Sequence, residues 1–294
     1  MASKPGLHPR NLHKSGYDFD DLLKSCPQLA PHVFINKYQA KSIDFSDAKA
    51  VRIFNQALLK RFYGIEHWEL PPDFLCPPVP GRADYIHHLR DLLPEDQSNV
   101  RVLDVGTGAN CIYPLLGLKS YGWTFVASDI DPEALLSAER IIGQNPGLSR
   151  SIELRHQCDP QKIFSGVLKA GEFFDLTMCN PPFHDSAQEA LKGTQRKWKS
   201  LGKSPQTGLN FGGKGAELWC EGGEVEFIKK MIVESSLVPF AAHWFTTLVS
   251  KESNLQPLSK VLARAKVAES RTIEMSQGQK RSRILAWTFT RPGS

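Results

Sequence analysis

Short apolar runs and helical periods alternate along the chain after position 99 and not before it. The runs 100–105, 123–129, 152–156, 174–179 and 243–249 are rich in Val, Ile, Leu, Phe and Trp, and few of them alternate strictly. Strands buried on both faces read this way. Between them the spacing predicts helices over 132–142, with Pro132 in the first turn where its missing N–H costs nothing, over 223–237 and over 255–265. Two further strands, 268–275 and 283–290, are joined by a loop, which predicts an antiparallel edge. The whole predicts an α/β fold: a seven-stranded, mostly parallel, doubly wound sheet with an antiparallel last strand.

Residues 1–99 lack that alternation and read as a helical N-terminal extension to a core spanning 100–294. Val51, Phe54, Leu58 and Leu59 fall on one helical face over 51–62, with Asp47 placed to cap it. Pro71-Pro72 and the run 77–81 (PPVPG) predict extended, helix-free backbone, followed by a second helix over 83–93 that Pro94 ends.

Composition narrows the class only a little. The 294 residues are 41% hydrophobic and 23% charged, as in ordinary soluble domains. No apolar run approaches the ~20 residues of a membrane span, and the N-terminal decapeptide has no apolar signal core. Six cysteines without a C-x-x-C pair read as buried thiols of a reducing cytoplasm. Nine histidines show no metal-ligand spacing, so no metal is expected. A net charge of +5 is compatible with a polyanionic partner without requiring one.

Chemistry enters at the ends of the strands. The first ends in Asp104-Val105-Gly106-Thr107-Gly108, a turn that lets backbone approach a ligand closely, and the second ends at Asp129, placed to accept hydrogen bonds from ribose hydroxyls. Asn110 stands where a dinucleotide fingerprint needs its third glycine, which favours S-adenosyl-L-methionine over NAD. Asp104, Gly106, Gly108, Asn110, Asp129, Gln157 and Asn180 form the candidate cofactor set.

The strand 174–179 runs into Asn180-Pro181-Pro182-Phe183. The lone pair of a planar amino nitrogen is delocalised, so the nitrogen is a poor nucleophile. Two acceptors aimed at its hydrogens, the Asn180 side-chain oxygen and the Pro181 carbonyl, would favour a more tetrahedral nitrogen and neutralise charge as it develops. The two prolines hold those acceptors in place, and Phe183 offers a face for a stacked base. By chemistry alone an adenine amine and a glutamine amide both fit, so a protein N5-glutamine methyltransferase stays open beside an RNA enzyme. A non-catalytic RNA-binding or ribosome assembly factor is the alternative from another class. Arg196, Lys197, Trp198, Lys199 and Lys203 interleave an indole with cations just beyond the loop, and are RNA candidates with Lys4, Arg10, Lys280 and Arg281. The glycine-rich stretch 208–215 reads as a lid.

With these residues in view, the chain resembles the class I (Rossmann-like) methyltransferase superfamily. More narrowly, it resembles the bacterial ribosomal RNA large subunit methyltransferase F family. The matching runs are 4–11 (KPGLHPRN), 74–88 (FLCPPVPGRADYIHH), 108–115 (GANCIYPL), 179–186 (CNPPFHDS), 218–224 (LWCEGGE) and 277–280 (QGQK). The resemblance implies N6-methylation of an adenine in 23S ribosomal RNA by a cytoplasmic enzyme, and a monomer is expected. The family is also similar to eukaryotic enzymes that methylate adenine in a spliceosomal small nuclear RNA. That relationship implies a contact between Arg82 and the methionine end of the cofactor.

Overall fold

The computed structural model describes residues 6–183, 185, 219–277 and 280–290. Its apolar runs become seven strands of one sheet: β3 (Arg101–Val105), β4 (Thr124–Asp129), β5 (Ile152–His156), β6 (Phe174–Cys179), β7 (Ala242–Val249), β8 (Glu269–Gln277) and β9 (Lys280–Thr288). They lie in the order β5-β4-β3-β6-β7-β9-β8. The first five are parallel, and β9 inserts antiparallel between β7 and β8. The antiparallel strand is the last in the chain, as the sequence predicts, and lies one in from the edge, which is β8. A hairpin of nine-residue strands brings β8 back outside its partner.

Helices cover both faces. On one side lie α2 (Ala48–Tyr63), α3 (Val79–Arg90), α4 (Ile112–Tyr121) and α5 (Pro132–Gln144), with a short α1 (Phe19–Ser25) beyond them. On the other side α6 (Gly223–Leu237) and α7 (Leu255–Arg264) pack their Ile228, Met231, Ile232, Leu258 and Leu262 against Phe174, Phe245 and Trp287. Asp47 caps α2 as its sequence position predicts, accepting a hydrogen bond from the Lys49 N–H at 2.9 Å.

Three local readings change. Helix α3 begins at Val79, not at 83, because Pro80 falls in its first turn, where backbone N–H groups have no helical partner to lose. Helix α4 gave no periodic signal because it is buried along almost its whole first half, from Ile112 to Gly117. A two-stranded hairpin, β1 (Val33–Ile35) and β2 (Lys41–Ile43), also lies in the N-terminal part; three-residue strands are too short to carry an alternation.

No gap in packing separates the first 99 residues from the sheet. Leu58, Leu59, Tyr85 and Ile86 belong to the same apolar cluster as Val102, Leu176 and Trp244. Tyr85 is wholly buried, and its hydroxyl meets Thr246 Oγ1 at 2.8 Å, which in turn donates to the Thr177 carbonyl. That chain pins α3 onto β6 and β7. It also fixes where the side chain of Arg82, one turn earlier on the same helix, stands.

Candidate functional site

The strand order reverses between β3 and β6, and the C-terminal ends of two such neighbours diverge to leave a crevice. Val105 pairs with Cys179 across that junction, so the glycine turn after β3 and the Asn-Pro-Pro-Phe turn after β6 stand side by side. A cleft of about 950 Å³ opens there. Gly106, Thr107, Gly108, Asn110, Asp129, Gln157, Asn180, Pro182 and Arg82 all contribute to its lining, which brings together most of the residues the sequence singled out.

The glycine turn works differently from a cradle of free amides. Gly106 and Thr107 both donate their N–H groups to the Ser128 carbonyl at 2.9 Å, and Gly108 donates to Asp129 Oδ2 at 2.8 Å. The turn is thus laced to the end of β4. Its glycines matter for their left-handed backbone (φ +74° and +64°) and for the open space where a Cβ at Gly106 would stand. Asp129 is fixed in the same way, accepting from Gly108 and, through Oδ1, from the Asp131 N–H at 2.9 Å. Each oxygen keeps a lone pair for a further donor.

Asp104 does not line the cleft but lies beneath it, with no solvent exposure and neither oxygen hydrogen-bonded among the described residues. Burial pushes its carboxyl up to about 7; the Thr107 hydroxyl beside it and Arg82 oppose the rise, and Asp129 adds to it. Arg82 enters from α3. One guanidinium nitrogen donates to the Tyr113 hydroxyl at 2.6 Å, the group lies 5.5 Å from that ring's centre, and Nε is buried with no partner among the described residues. Tyr113 is held neutral by burial, which pushes it up to about 12.

A second, smaller recess of about 100 Å³ adjoins the cleft. Phe183, Leu248, Ser250, Met275 and Arg281 line it, and Arg82 and Asn180 are the two residues it shares with the cleft. The Asn180 side-chain oxygen is buried at this junction and has no hydrogen-bond partner among the described residues. Pro181 is buried beside it. A buried amide oxygen without a donor costs about 1–3 kcal/mol, and such a deficit is characteristic of a site that a ligand completes.

Other candidates are placed differently. The Gln157 carboxamide is spent within its own loop, donating to the Ser165 carbonyl at 2.8 Å and accepting from the Asp159 N–H at 3.0 Å. The Asn110 side-chain oxygen, just before the N-cap Cys111 of α4, accepts from the Ile112 N–H at 3.1 Å. The Arg10 guanidinium is engaged by Tyr121, the His87 carbonyl and Asp91, so it straps the N-terminal segment to α3 and α4 while remaining nearly half exposed. Arg281 is exposed on β9, and Lys280 opens that strand. Lys4, Arg196, Lys197, Trp198, Lys199, Lys203 and the stretch 208–215 lie outside the described residues. Among the described residues one group, His8, His88 and Asp91, brings possible metal-ligand atoms within 4.8 Å of one another, and Asp91 already pairs with His8 and Arg10. Sequence reading assigned no role to Tyr113 or Trp219, although both lie in the runs 108–115 and 218–224 that carry the resemblance, and it missed the β7 and β8 residues of the recess, which sit in no motif.

The lining fits an amino-acid-bearing nucleoside: a guanidinium donor for a carboxylate at Arg82, and a fixed carboxylate with lone pairs to spare for ribose at Asp129. Sheet order, acid and turn together define a class I, S-adenosylmethionine-dependent methyltransferase. The chain belongs to the RNA methyltransferase family, whose model matches residues 1–291. It is 54% identical, over 97% of its length and 90% of the relative's, to the ribosomal RNA large subunit methyltransferase F of Pseudomonas savastanoi pv. phaseolicola. The corresponding protein of Salmonella agona is 53% identical, over 98% of this chain and 95% of that one. Among solved structures, the hMettl16 catalytic domain in complex with MAT2A 3′UTR hairpin 1 matches with a TM-score of 0.84 and 33% identity, covering 97% and 96% of the two chains. The N-terminal domain of human METTL16 in complex with SAH matches with a TM-score of 0.78 and 30% identity, covering 97% and 100%.

Proposed function

We propose that the protein methylates the N6 amine of an adenine in 23S ribosomal RNA. The observation that carries the reading is the buried Asn180 oxygen, which has no partner among the described residues and stands where a cofactor-sized cleft meets a recess walled by Phe183. Arg82 would hold the methionine carboxylate and Asp129 the ribose. S-adenosylmethionine supplies a methyl group already activated by its sulfonium, so the protein need not form a covalent intermediate. Asn180, with the Pro181 carbonyl, accepts hydrogen bonds from the exocyclic amine and favours the lone pair that attacks the methyl carbon. Phe183 stacks the base and sets the angle of approach, a contact worth about 1–3 kcal/mol. The proton shed by the methylated nitrogen leaves to water.

The names of the relatives support large-subunit ribosomal RNA as the substrate, and the exposed Arg281 at the recess supports a polyanion entering from that side. We place the enzyme in the cytoplasm and expect it to act as a monomer without a metal; among the described residues no helix is long and apolar enough to cross a membrane. The test is transfer of tritiated methyl to 23S rRNA, with nucleosides separated by chromatography. Label should run with N6-methyladenosine and vanish in Asn180→Ala. Label in another nucleoside, or in the glutamines of a translation factor, would overturn the proposal.

A further inference from the structure

The far wall of the cleft is the loop that follows β5, where Pro160, Gln161, Lys162 and Ile163 face the cavity. Strand β5 lies outside β4 in the sheet. A nucleoside whose ribose is held at Asp129 therefore places its base against this loop, an expectation that rests on the cofactor reading above. Loop backbone has no ladder to satisfy its N–H groups, so its shape depends on what else accepts them.

Three successive N–H groups converge on a single carboxylate about 70 positions further along the chain, at the edge of the same cleft. Ile163, Phe164 and Ser165 donate to Glu234 Oε2 at 3.1, 2.8 and 3.3 Å, and Ile163 also reaches Oε1 at 3.1 Å. Glu234 belongs to α6. One turn earlier on the same face, Lys230 Nζ donates to Gln161 Oε1 at 2.8 Å, so the helix grips the loop at two points. The loop is braced from within as well. Phe164 is buried against Phe245 with ring centres 5.5 Å apart, and Gly166 turns at φ +88° with the Gln157 amide oxygen only 3.3 Å from where a Cβ would stand. A Gly166 side chain would push that brace away.

We propose that Glu234 is a positioning residue for the cofactor: it holds the wall 160–163 in the shape that receives the base, so that its loss weakens cofactor affinity without touching the methyl-transfer step. Hydrogen bonds to an ionised acceptor are about twice as strong as neutral ones, and one carboxylate here orders three of them. Preorganisation of this kind appears in binding, because a slack wall must be ordered anew each time a ligand enters.

Glu234→Ala and Glu234→Gln are compared with wild type by calorimetric titration of S-adenosylmethionine and of its demethylated product, and by steady-state kinetics on 23S rRNA. The expected result is a Kd raised about tenfold by Glu234→Ala, equivalent to about 1.4 kcal/mol, with KM for the cofactor rising in step. The kcat at saturating cofactor and KM for RNA should stay put. Glu234→Gln keeps the shape and one acceptor oxygen, so it should fold and fall between the two; amide exchange at 163–165 should quicken in both variants. Asp129→Asn serves as the control that separates the readings. If Asp129→Asn binds as wild type, the cofactor reading fails. If Asp129→Asn loses binding while both Glu234 variants bind as wild type, the latch is overturned, whatever their melting temperatures.

Discussion

Replacing Asp104 by Asn should remove a pH dependence from both folding and cofactor binding. The carboxyl has no solvent exposure and no hydrogen-bond partner among the described residues, and burial lifts it from 3.8 to about 7. Between those values the folded chain binds a proton that the unfolded chain has released. The stability from this group is therefore fully present below pH 3.8 and is lost as pH rises through about 7. At about 1.36 kcal/mol per pH unit the loss amounts to about 4 kcal/mol by pH 8. Asp104→Asn keeps the shape and abolishes the titration. Urea unfolding at a series of pH values should show the variant close to wild type near pH 4 and more stable by about that amount near pH 8. Taking the difference between the two proteins matters, because His13 and His87 titrate in the same interval with the opposite sign.

The same group should report on the ligand. S-adenosylmethionine carries a sulfonium and an ammonium against one carboxylate, so its binding beside Asp104 favours the ionised form. Affinity should then rise by up to about tenfold per pH unit below 7 and level off above it, with about one proton released. Calorimetry in buffers of different ionisation enthalpy counts that proton. Asp104→Asn should bind more weakly at pH 8 and with a flat profile. A wild-type affinity that is itself flat across the interval, or a variant with the wild-type slope, would refute the reasoning.

Asn180→Ala should cut turnover by about 10²–10³-fold, the usual cost of removing one preorganised transition-state contact, while calorimetric binding of S-adenosylmethionine persists; near-normal turnover would sink the amine-clamp role. Burial lowers His13 and His87 from 6.5 to about 4, so the stability they contribute is present above 6.5 and lost as pH falls toward 4. Thermal melts of a His13→Gln and His87→Gln double variant should lose that acid-side slope, and an unchanged slope would assign it elsewhere. Arg10→Ala should lower Tm yet leave the salt dependence of RNA binding intact, whereas Arg281→Ala should reduce that slope by about one phosphate contact. The reverse pattern would exchange their roles.

How much was legible depended on whether a signal was local. Strands β5 and β6 and helix α6 stand at the bounds the sequence predicts, because an alternating edge strand, a strand buried on both faces and a helix with one apolar stripe each announce themselves within their own residues. Helix α4 was hidden for the opposite reason: wrapped in protein over its first half and interrupted by Pro114 and Gly117, it has no polar face to set a period. In the site, the residues closing β3, β4 and β6 could be named because the end of a parallel strand is where a ligand binds. Whether a polar side chain is free for that ligand could not be read. Arg10 and Gln157 have the right chemistry and are spent, the one on Asp91, 81 positions away, the other within a few residues of itself.

The same non-local bookkeeping ties the N-terminal segment to α3 without its lining the cofactor cleft. Asn11 is buried and donates to Asp84 Oδ1 at 3.0 Å and to the Pro80 carbonyl at 2.9 Å, while the His8 N–H donates to Asp84 at 2.6 Å. Pro80 and Asp84 bracket Arg82 on the first turn of α3. A buried carboxylate that loses one of its donors is costly to keep in place, by about 1–3 kcal/mol or more, and the turn that would relax carries Arg82 with it. Arg82 is one of two residues common to cleft and recess. A shift there would misplace the cofactor and the base relative to each other, and a small displacement is enough to spoil an in-line transfer. His8 and Asn11 therefore hold the first turns of the helix that carries, among the described residues, the only arginine shared by both chambers.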